Sequence, residues 1–355
     1  MASATLNRPG QPEPGVPSAR RLLAVAAVDH PGGAETTLLR LLRRRRERGW
    51  KVTLTTPSEG PLRDAALQDG HDWRALAVGG LAAGAGAPAV RSWPAIRRLS
   101  RGAHVVYLNG AVCGRLLPAP PAGGPRRVLH IHDMVTRVPG MWRRADVVLT
   151  ASQAVSDRLG GLPSHVVYGP VEDQPPPEPA PWPDGNGPVI GFLGRVEPRK
   201  GPLDLVRAAP AIRLGAPEAR VVIVGDDPYD TDPAYTRSVL DSPEIAPYPW
   251  SHNAPGLMRH LAVLVLPSYQ EPSGTVLAEA MAVGTPVVAT RVGGLAEVVE
   301  DGVTGRLVAP GDPGGLAAAV LDVLAHRDEM GAAARQHARR FGADRYTDRV
   351  ERLLL

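Results

Sequence analysis

Two glutamates stand eight residues apart in the stretch SYQEPSGTVLAEAMAVGTPVV, which covers residues 268–288. In one continuous helix, Glu271 and Glu279 would lie about 12 Å apart along the axis and about 80° apart around it, so they would not converge. Pro272 and Gly274 argue against a continuous helix, because both residues favour a turn directly after Glu271. The sequence therefore predicts Glu271 in a loop, a helix that begins near Gly274, and Glu279 about one turn inside that helix.

The start of this helix can bind an anion. The amides of Gly274, Thr275 and Val276 have no acceptor within the helix, so they can donate to an external group such as phosphate. Carboxylates on either side of them accept hydrogen bonds from hydroxyl groups. This combination suits a polyhydroxylated, phosphorylated ligand. The alternative is that Glu279 is an ordinary charge on a helix surface, although its small and apolar neighbours favour a partly buried position.

A second candidate site lies in the segment GFLGRVEPRKG, residues 191–201. Gly194 ends a predicted strand, and Arg195 and Lys200 flank the short loop that follows it. Two cations at the carboxyl end of a strand can clamp a diphosphate, since arginine offers a planar fork and lysine a point charge. The alternative is a pair of solvated surface charges. That alternative is weakened because only two of the forty basic residues are lysines, Lys51 and Lys200.

The segment DHPGGAE, residues 29–35, places a glycine pair after the first predicted strand. Gly32 and Gly33 let the backbone approach a ligand closely, and the N-terminus of the following helix favours an anion. A tight turn without a ligand explains the pair equally well. The segment lacks the G-x-G-x-x-G spacing of a dinucleotide site and a Walker lysine, which argues against NAD binding and against P-loop chemistry.

These segments occupy equivalent positions in two similar halves of the chain. Apolar runs predict strands in the first half at 21–28, 50–56, 104–109, 127–132, 146–152 and 164–169. Further strands are predicted in the second half at 188–194, 219–226, 261–268 and 285–290. Helices between the strands, such as the one predicted at 34–48, imply parallel pairing. Ligands of open parallel sheets bind beyond the carboxyl ends of the strands, so two such sheets facing each other form one cleft.

The chain of 355 residues is long enough for two domains. A proline-rich polar segment, EDQPPPEPAPWPDGNG, interrupts the strand pattern and is typical of an interdomain linker. We predict a disordered tail, a first Rossmann-like domain, this linker, a second Rossmann-like domain, and a C-terminal helix that returns to the first domain. Their bounds are 1–19, 20–171, 172–187, 188–330 and 331–355.

Composition limits the classes of function. The net charge of +4 is compatible with an anionic ligand and too weak to argue for nucleic acid. The single cysteine, Cys113, excludes a disulfide framework and a cysteine-based zinc site within one chain, and it fits a cytoplasmic location. No apolar run approaches the roughly 20 residues of a membrane-spanning helix. The arginine run at 43–46 favours a solvated helix face, with weak contact to an anionic membrane as the alternative.

The motifs together resemble the retaining glycosyltransferases of family 4, which have the GT-B fold. The segment E-P-S-G-T-V-L-A-E-A-M-A-V-G-T-P-V-V is similar to the E-x7-E signature of that family, and VGGLAEVVEDGVTGRLVAPGD after it also fits. GRVEPRKG, PGGAE, HIHD and LTASQAVSDRL resemble further segments of the family. The resemblance runs from about residue 21 to the end of the chain and is most specific over 268–312.

The resemblance implies a role for each candidate residue. The second domain should bind a nucleoside diphosphate sugar, with Glu279 on the ribose and Arg195 and Lys200 on the diphosphate. Glu271 and the backbone near Gly274 should hold the transferred sugar. The remaining residues expected at the donor are Gly33, Gly194, Ser273, Thr275 and Val276.

The first domain should bind the acceptor, and His132 should lie near the donor sugar and the acceptor. His130 and His132 alternate on a strand and point to one face, but His130 is equally well explained as a core residue. The resemblance implies no metal and no other cofactor. Pro272 and Ser273 replace the Gly-Phe pair common in the family, which leaves the shape of the sugar pocket open.

We therefore expect an enzyme that moves a sugar from a nucleoside diphosphate sugar to an acceptor hydroxyl by front-face attack. Catalysis would consist mainly of positioning and of cationic stabilisation of the departing diphosphate. The candidate catalytic residues are His132, Arg195, Lys200 and Glu271. The alternatives are a sugar-nucleotide epimerase on the same fold and a non-catalytic relative that binds nucleotide.

Overall fold

A computed structural model describes residues 19–80, 86–172, 175–185, 187–228, 231–251 and 253–355. All of the predicted N-terminal tail except Ala19 lies outside the described residues, as do three positions of the predicted linker. Within the described ranges, the chain forms two open sheets in which every strand pair is parallel.

The first sheet has the strand order β3-β2-β1-β4-β5-β6-β7. Its strands are β1 Arg21–Ala26, β2 Lys51–Thr56, β3 Asp72–Ala75, β4 Val105–Asn109, β5 Arg126–Ile131, β6 Val147–Thr150 and β7 His165–Val166. Its helices are α1 Gly33–Glu47, α2 Pro61–Gln68, α3 Ala87–Leu99 and α4 Gln153–Ser156. Short 3-10 helices span Ala111–Leu116, Gly140–Arg144 and Asp157–Leu159.

The second sheet has the strand order β10-β9-β8-β11-β12-β13. Its strands are β8 Val189–Leu193, β9 Arg220–Val224, β10 Ala246–Tyr248, β11 Val263–Leu266, β12 Val287–Thr290 and β13 Gly305–Val308. The helices of this half are α5 Pro202–Gly215, α6 Pro233–Leu240, α7 Ala254–Met258, α8 Thr275–Ala282, α9 Leu295–Val298, α10 Pro313–Ala325, α11 Arg327–Ala338 and α12 Ala343–Leu354. Further 3-10 helices span Pro198–Lys200 and Arg339–Phe341.

Burial on both faces explains the uninterrupted apolar runs of the central strands. A parallel sheet is covered on both sides by its crossover helices, so its strands lack the alternation of a half-exposed sheet. In β4 and β8 every residue is buried. One cluster of buried side chains forms the core of the second half, and the first half has one cluster on each face of its sheet.

The proline-rich segment packs against the second half over much of its described length. The Trp182 side chain is buried, and its ring lies 5.6 Å from that of Tyr248, centroid to centroid. The guanidinium groups of Arg220 and Arg259 donate to the backbone carbonyls of Pro183 and Pro175 at 2.6 and 3.0 Å. Along these residues the segment is therefore packed against the second half and is not a flexible linker.

The C-terminal region contains two helices where the sequence predicted one. Helix α11 buries Met330 and Ala334 in the core of the second half. The chain turns at Gly342, and α12 buries Tyr346, Val350 and other residues against α1 and the first sheet. The return to the first half thus begins after Phe341 and not at residue 331, because the apolar positions of α11 match the second core. Among the helices described, none has the length and apolarity to cross a membrane.

Candidate active site

The candidate residues cluster where central strands of the two sheets end. In the first half, Gly33 follows β1 and His132 follows β5, which are separated in the sheet only by β4. In the second half, Lys200 follows β8 and Glu271 follows β11, and these two strands are neighbours. Parallel strands present their carboxyl ends at one edge, so each set of loops forms one wall of a cleft.

Lys200 and Glu271 form an ion pair on the wall of the second half. Both side chains are mostly buried, with 15% and 9% of their surfaces exposed. Lys200 ends the 3-10 helix Pro198–Lys200, and Gly201 after it adopts a left-handed conformation with φ of 67°. The sequence predicted both residues at the site but not their contact. One ammonium can donate three hydrogen bonds, so Lys200 can hold Glu271 and still bind a phosphate oxygen.

The loop that carries Glu271 is held by the glycine pair of the VGG motif. The backbone carbonyl of Glu271 accepts a hydrogen bond from the Gly294 amide at 2.9 Å. Gly293 has φ of 47°, and a Cβ atom there would lie 2.2 Å from the Glu271 carbonyl oxygen. Only glycine fits this position without moving the loop. The VGG motif therefore fixes the backbone on which Glu271 stands.

Helix α8 begins at Thr275, as the sequence predicted, with Gly274 in the left-handed region at φ of 68°. The Ser273 and Thr275 hydroxyls lie 3.2 Å apart at its N-terminus. The amides of Thr275 and Val276 have no acceptor within the helix. The predicted group Ser273–Val276 thus lies together directly beside Glu271, at the positive end of the helix dipole.

Glu279 is ion-paired with a residue of the other half. Its Oε1 lies 2.7 Å from Nη1 of Arg40 on α1, and both side chains are close to nine-tenths buried. The same Arg40 nitrogen donates to the backbone carbonyl of Pro170 at 2.8 Å. Sequence reasoning missed Arg40, because no local pattern distinguishes it from the arginines that follow. The pair connects the predicted ribose ligand to the opposite wall.

His132 is a neutral imidazole on the wall of the first half. Burial lowers the pKa of His132 to about 4. Its Nε2 lies 3.0 Å from Oδ1 of Asn109, whose Nδ2 donates to the Ala34 carbonyl at 3.4 Å. Because the Asn109 amide nitrogen is directed to Ala34, its oxygen accepts from Nε2 of His132. Nδ1 of His132 is then a hydrogen-bond acceptor.

The neighbouring histidine has a different role. His130 is buried at the end of β5, and its Nδ1 lies 2.6 Å from the Tyr107 hydroxyl. Burial and the neighbouring His132 lower the pKa of His130 well below its usual value. The imidazole centroids of the two histidines are 3.8 Å apart. The geometry gives His130 the character of a core residue that supports His132.

Asn109 also links His132 to the glycine loop through Ala34. At the start of α1, the Gly32 amide donates to Oε2 of Glu35 at 3.1 Å, which is the half of a capping box that a glycine N-cap permits. A Cβ atom added to Gly33 would meet no described atom within 4 Å. Internal packing therefore does not require glycine at position 33, and the loop leaves space for a neighbouring molecule.

Charges from the two walls interact across the cleft. Asp133 is exposed at the edge of the cleft, where desolvation by the surrounding residues raises its pKa and the guanidinium groups of Arg199 and Arg195 partly oppose this rise. Burial likewise raises the pKa of Glu35, and Arg195 partly opposes that rise. Glu197 lies 2.6 Å from Arg199 and 3.4 Å from Arg195. The diphosphate clamp predicted at Arg195 thus faces acidic groups of the first half, which the sequence did not anticipate.

Gly194 has mainly a backbone role. Its amide donates to the Val224 carbonyl at 3.1 Å, which continues the pairing of β8 with β9. A Cβ atom on Gly225 would lie 1.9 Å from the Gly194 carbonyl oxygen, so the two strand ends are tightly packed.

Throughout the described residues, no group of three or more His, Cys, Asp or Glu side chains is arranged to hold a metal ion.

Two family models match the two halves of the chain. The model described as Glycosyltransferase Family 4 matches residues 31–174. The model described as Glycosyl transferases group 1 matches residues 187–326. The chain belongs to glycosyltransferase family 4. The family predicted from the E-x7-E segment is therefore confirmed.

Curated relatives of this family 4 chain include D-inositol 3-phosphate glycosyltransferases. The protein from Arthrobacter sp. is 40% identical over 164 residues, which cover 43% of this chain and 39% of the relative. The protein from Salinispora arenicola is 38% identical over 175 residues, or 45% of this chain and 39% of the relative. The matched region spans well under half the length of these relatives.

Solved structures confirm the fold of this family 4 chain over nearly its whole length. HepE of Anabaena, solved with UDP and glucose, has a TM-score of 0.76 at 20% identity, covering 94% of this chain and 98% of that chain. A glycosyltransferase from Rickettsia africae has a TM-score of 0.80 at 16% identity, covering 95% and 98%. The predicted GT-B architecture, with two Rossmann-like sheets, is confirmed.

Proposed function

We propose that the protein is a retaining glycosyltransferase that moves a sugar from a nucleoside diphosphate sugar to an acceptor hydroxyl. The acceptor class, whether natural product, glycan or lipid, is left open. The observation that carries the proposal is the Lys200–Glu271 pair beside the N-terminus of α8, where a cation, helix amides and a carboxylate lie together. Membership of family 4 and the structures of HepE with UDP and with UDP-glucose support it.

The donor would lie along the wall of the second half. Glu279 would accept from the ribose hydroxyls, while Arg195 and Lys200 would neutralise the diphosphate. The amides of Thr275 and Val276, with Ser273 and Gly274, would bind phosphate or sugar oxygens. Gly33, whose Cβ position is open, would let the backbone of the first half approach the phosphates. Gly194 would shape the loop of Arg195.

His132 would contact the transferred sugar from the opposite wall. A neutral imidazole whose Nε2 proton is held by Asn109 presents Nδ1 as an acceptor for a sugar hydroxyl. Its low pKa keeps it uncharged at neutral pH, so it would not attract the diphosphate. We assign His132 to sugar positioning rather than to proton transfer.

The chemical step would break the bond between the anomeric carbon and the diphosphate oxygen and form a bond from that carbon to the acceptor oxygen. The acceptor proton would pass to the departing phosphate oxygen on the same face. Lys200, Arg195 and the helix dipole would stabilise the charge that develops on the leaving group. Because the Glu271 carboxylate is engaged by Lys200, it would be a poor nucleophile, which favours front-face attack over a covalent intermediate.

We propose that neither a metal nor another cofactor takes part. Arg195 and Lys200 supply the cationic groups that a metal would otherwise provide at a diphosphate. A cytoplasmic location is part of the same proposal, because nucleotide sugars are the expected substrates and the single thiol of Cys113 is buried and reduced in form.

The test is donor profiling with purified protein. A panel of uridine, guanosine, adenosine and thymidine diphosphate sugars is incubated with hydroxyl acceptors, and release of nucleoside diphosphate is measured by mass spectrometry. We expect one donor to be consumed only with acceptor and its nucleotide to raise the melting temperature. An epimerised donor formed without acceptor would indicate an epimerase. Nucleotide binding without any turnover would indicate a non-catalytic relative.

A further inference from the structure

The charges of this protein are unevenly divided along the chain. Residues 76–145 contain ten arginines and one acidic residue, Asp133. The rest of the chain holds thirty basic and thirty-five acidic residues, so it is slightly acidic. The net charge of +4 is therefore the sum of one strongly basic segment and a slightly acidic remainder. A general preference for arginine as the cation explains the residue type but not the absence of acidic neighbours.

Helix α3 gathers four of these arginines on one face. At 100° per residue, the exposed positions Val90, Arg91, Pro94, Arg97 and Arg98 fall within an arc of about 120°. Arg101 continues this face one turn later, just beyond the end of the helix. The opposite side of α3 is buried through Ala89 and Ile96. We call these six exposed residues, 90, 91, 94, 97, 98 and 101, the α3 face.

Helix stability does not account for this arrangement. Cations near a helix C-terminus interact favourably with the dipole, which explains Arg97 and Arg98 in the last turn. Arg91 lies near the beginning of α3, where the dipole disfavours a cation. Among the described residues, none forms an ion pair or hydrogen bond with the guanidinium groups of Arg91, Arg97, Arg98 or Arg101. No acidic side chain in the described part of the chain compensates their mutual repulsion.

The 3-10 helix Gly140–Arg144 extends the basic surface beside α3. Trp93 of α3 and Met141 and Arg144 of the 3-10 helix line one shallow groove. Arg143 and Arg144 are exposed and are likewise unpaired among the described residues. Two apolar side chains project into solvent from this surface, Val90 with 55% and Met141 with 38% of their surfaces exposed. The surface thus combines guanidinium groups with isolated apolar side chains.

The arginine run on α1, for which the sequence favoured a solvated helix face over membrane contact, is engaged internally. Arg45 is fully buried and lies 2.8 Å from Glu351 of α12. Arg44 contacts Glu172 and Asp344, and Arg43 contacts Asp69. The α1 run therefore connects the first half to α12 and its neighbours. The guanidinium groups of the α3 face have no such partners among the residues that the structure describes.

We propose that the α3 face and the adjoining 3-10 helix bind the surface of an anionic lipid bilayer. Guanidinium groups pair with lipid phosphates, and Val90 and Met141 enter the interface between headgroups and acyl chains. Nucleic acid fits less well, because the surface offers neither exposed aromatic rings for stacking nor Asn and Gln side chains for base edges. The loop from Asp133 to Gly140 connects this surface to the candidate active site along the chain.

The test is cosedimentation of the full chain with vesicles. Phosphatidylcholine vesicles with about 30% phosphatidylglycerol are compared with pure phosphatidylcholine vesicles, at about 0.05 and 0.5 M salt. The R91Q/R97Q/R98Q/R101Q variant removes four charges from the α3 face. The R237Q/R327Q/R339Q/R345Q variant removes four exposed charges elsewhere and is the matched control. Circular dichroism and melting temperature verify that both variants fold.

We expect the wild type to bind the anionic vesicles and the α3 variant to bind them about 100-fold or more weakly, since each arginine near the surface contributes about fivefold. The control variant should retain binding within about threefold, the small loss of a general charge effect. A wild type that does not bind anionic vesicles, or equal losses in both variants, overturns the proposal.

A second variant separates a membrane from a soluble polyanion. V90S/M141Q removes the exposed apolar groups and keeps every charge. We expect it to weaken vesicle binding at least about threefold while binding of a duplex RNA probe stays unchanged. Tighter wild-type binding to that RNA than to vesicles, lost in the arginine variant and unchanged in V90S/M141Q, would overturn the membrane proposal in favour of a nucleic-acid surface.

Discussion

The two carboxylates of the E-x7-E segment differ in where their partners come from. Glu271 pairs with Lys200, and both stand on loops after neighbouring strands of the second sheet. Glu279 pairs with Arg40, which belongs to the first half. The region around Glu271 is therefore assembled by one half alone, whereas the region around Glu279 depends on how the two halves meet.

This difference separates two functions within one motif. The Glu271 region, fixed by Gly293 and Gly294, is preformed, and on the proposed roles it would receive the sugar and the diphosphate. If Glu279 binds the ribose as proposed, a ribose hydroxyl and Arg40 would compete for, or share, one carboxylate. The variants below test this division, beginning with the largest expected effect.

Replacement of Lys200 should have the largest effect. Lys200→Ala removes a cation from the proposed leaving group and leaves the buried Glu271 carboxylate without its partner. We expect turnover with the best donor to fall about 10²- to 10³-fold. We also expect the free energy of unfolding to fall by about 2 kcal/mol or more, measured by urea denaturation.

Lys51→Ala is the matched control, because Lys51 is the only other lysine and is exposed at the start of β2. Its turnover and stability should stay close to the wild type. Wild-type turnover in Lys200→Ala, or an equal loss in both variants, would remove Lys200 from the diphosphate site.

Replacement of Glu279 tests the ribose assignment. Glu279→Gln loses a charged acceptor, so we expect the affinity for the nucleoside diphosphate to fall about 10- to 100-fold by calorimetry. The loss should be smaller for 2′- and 3′-deoxy nucleotides, because they lack the hydroxyls that Glu279 would bind. Equal losses for ribose and deoxyribose ligands would contradict the assignment.

Arg40→Gln tests the ion pair that joins Glu279 to the first half. If Arg40 holds the carboxylate in place, nucleotide affinity should fall about fivefold, less than in Glu279→Gln, because the acceptor itself remains. Arg43→Gln is the control, since Arg43 lies on the same helix but pairs with Asp69. An Arg40 variant that binds nucleotide more tightly would show that Arg40 competes with the ribose instead.

Glu297 provides a purely structural counterpart to Glu279. Its carboxylate accepts from the amides of Gln153 and Ala154 at 2.7 Å and from the Tyr168 hydroxyl at 3.0 Å, all in the first half. Glu297→Gln should lower the free energy of unfolding by about 1–2 kcal/mol, because one amide donor loses its acceptor. Exposed Glu329 gives the control Glu329→Gln. A loss of nucleotide affinity without a loss of stability would contradict a structural role.

The central parts of the fold could be predicted from the sequence because burial on both faces produces uninterrupted apolar runs. Strands β1, β4, β5, β8 and β11 all lie within their predicted segments apart from single residues at their ends. The edge strands β3, β10 and β13 were missed, since they are short and only partly buried. The start of α8 was predicted from Pro272 and Gly274, whose turn preference is local.

The partners of the candidate residues could not be predicted in the same way. The contact of Lys200 with Glu271 joins residues 71 positions apart, and that of Glu279 with Arg40 depends on the orientation of the two halves. No local sequence pattern predicts either contact. The role of Asn109 was equally hidden, because it ends an apolar strand and its function follows only from the neighbours that the sheet places beside it.

The smallest expected effect at neutral pH concerns His132 on the opposite wall. Its pKa of about 4 lies below the value of about 6.5 of an unfolded histidine. Between these values the unfolded chain binds a proton that the folded protein excludes, so stability falls as the pH drops from about 6.5 toward 4. His132→Gln should flatten this slope by about 1 kcal/mol per pH unit in urea denaturation at a series of pH values, whereas His165→Gln, at an exposed position, should leave it unchanged. Equal slopes in the wild type and His132→Gln would show that His132 carries its proton within the folded cleft, and the wall facing the Lys200–Glu271 pair would then be cationic rather than neutral.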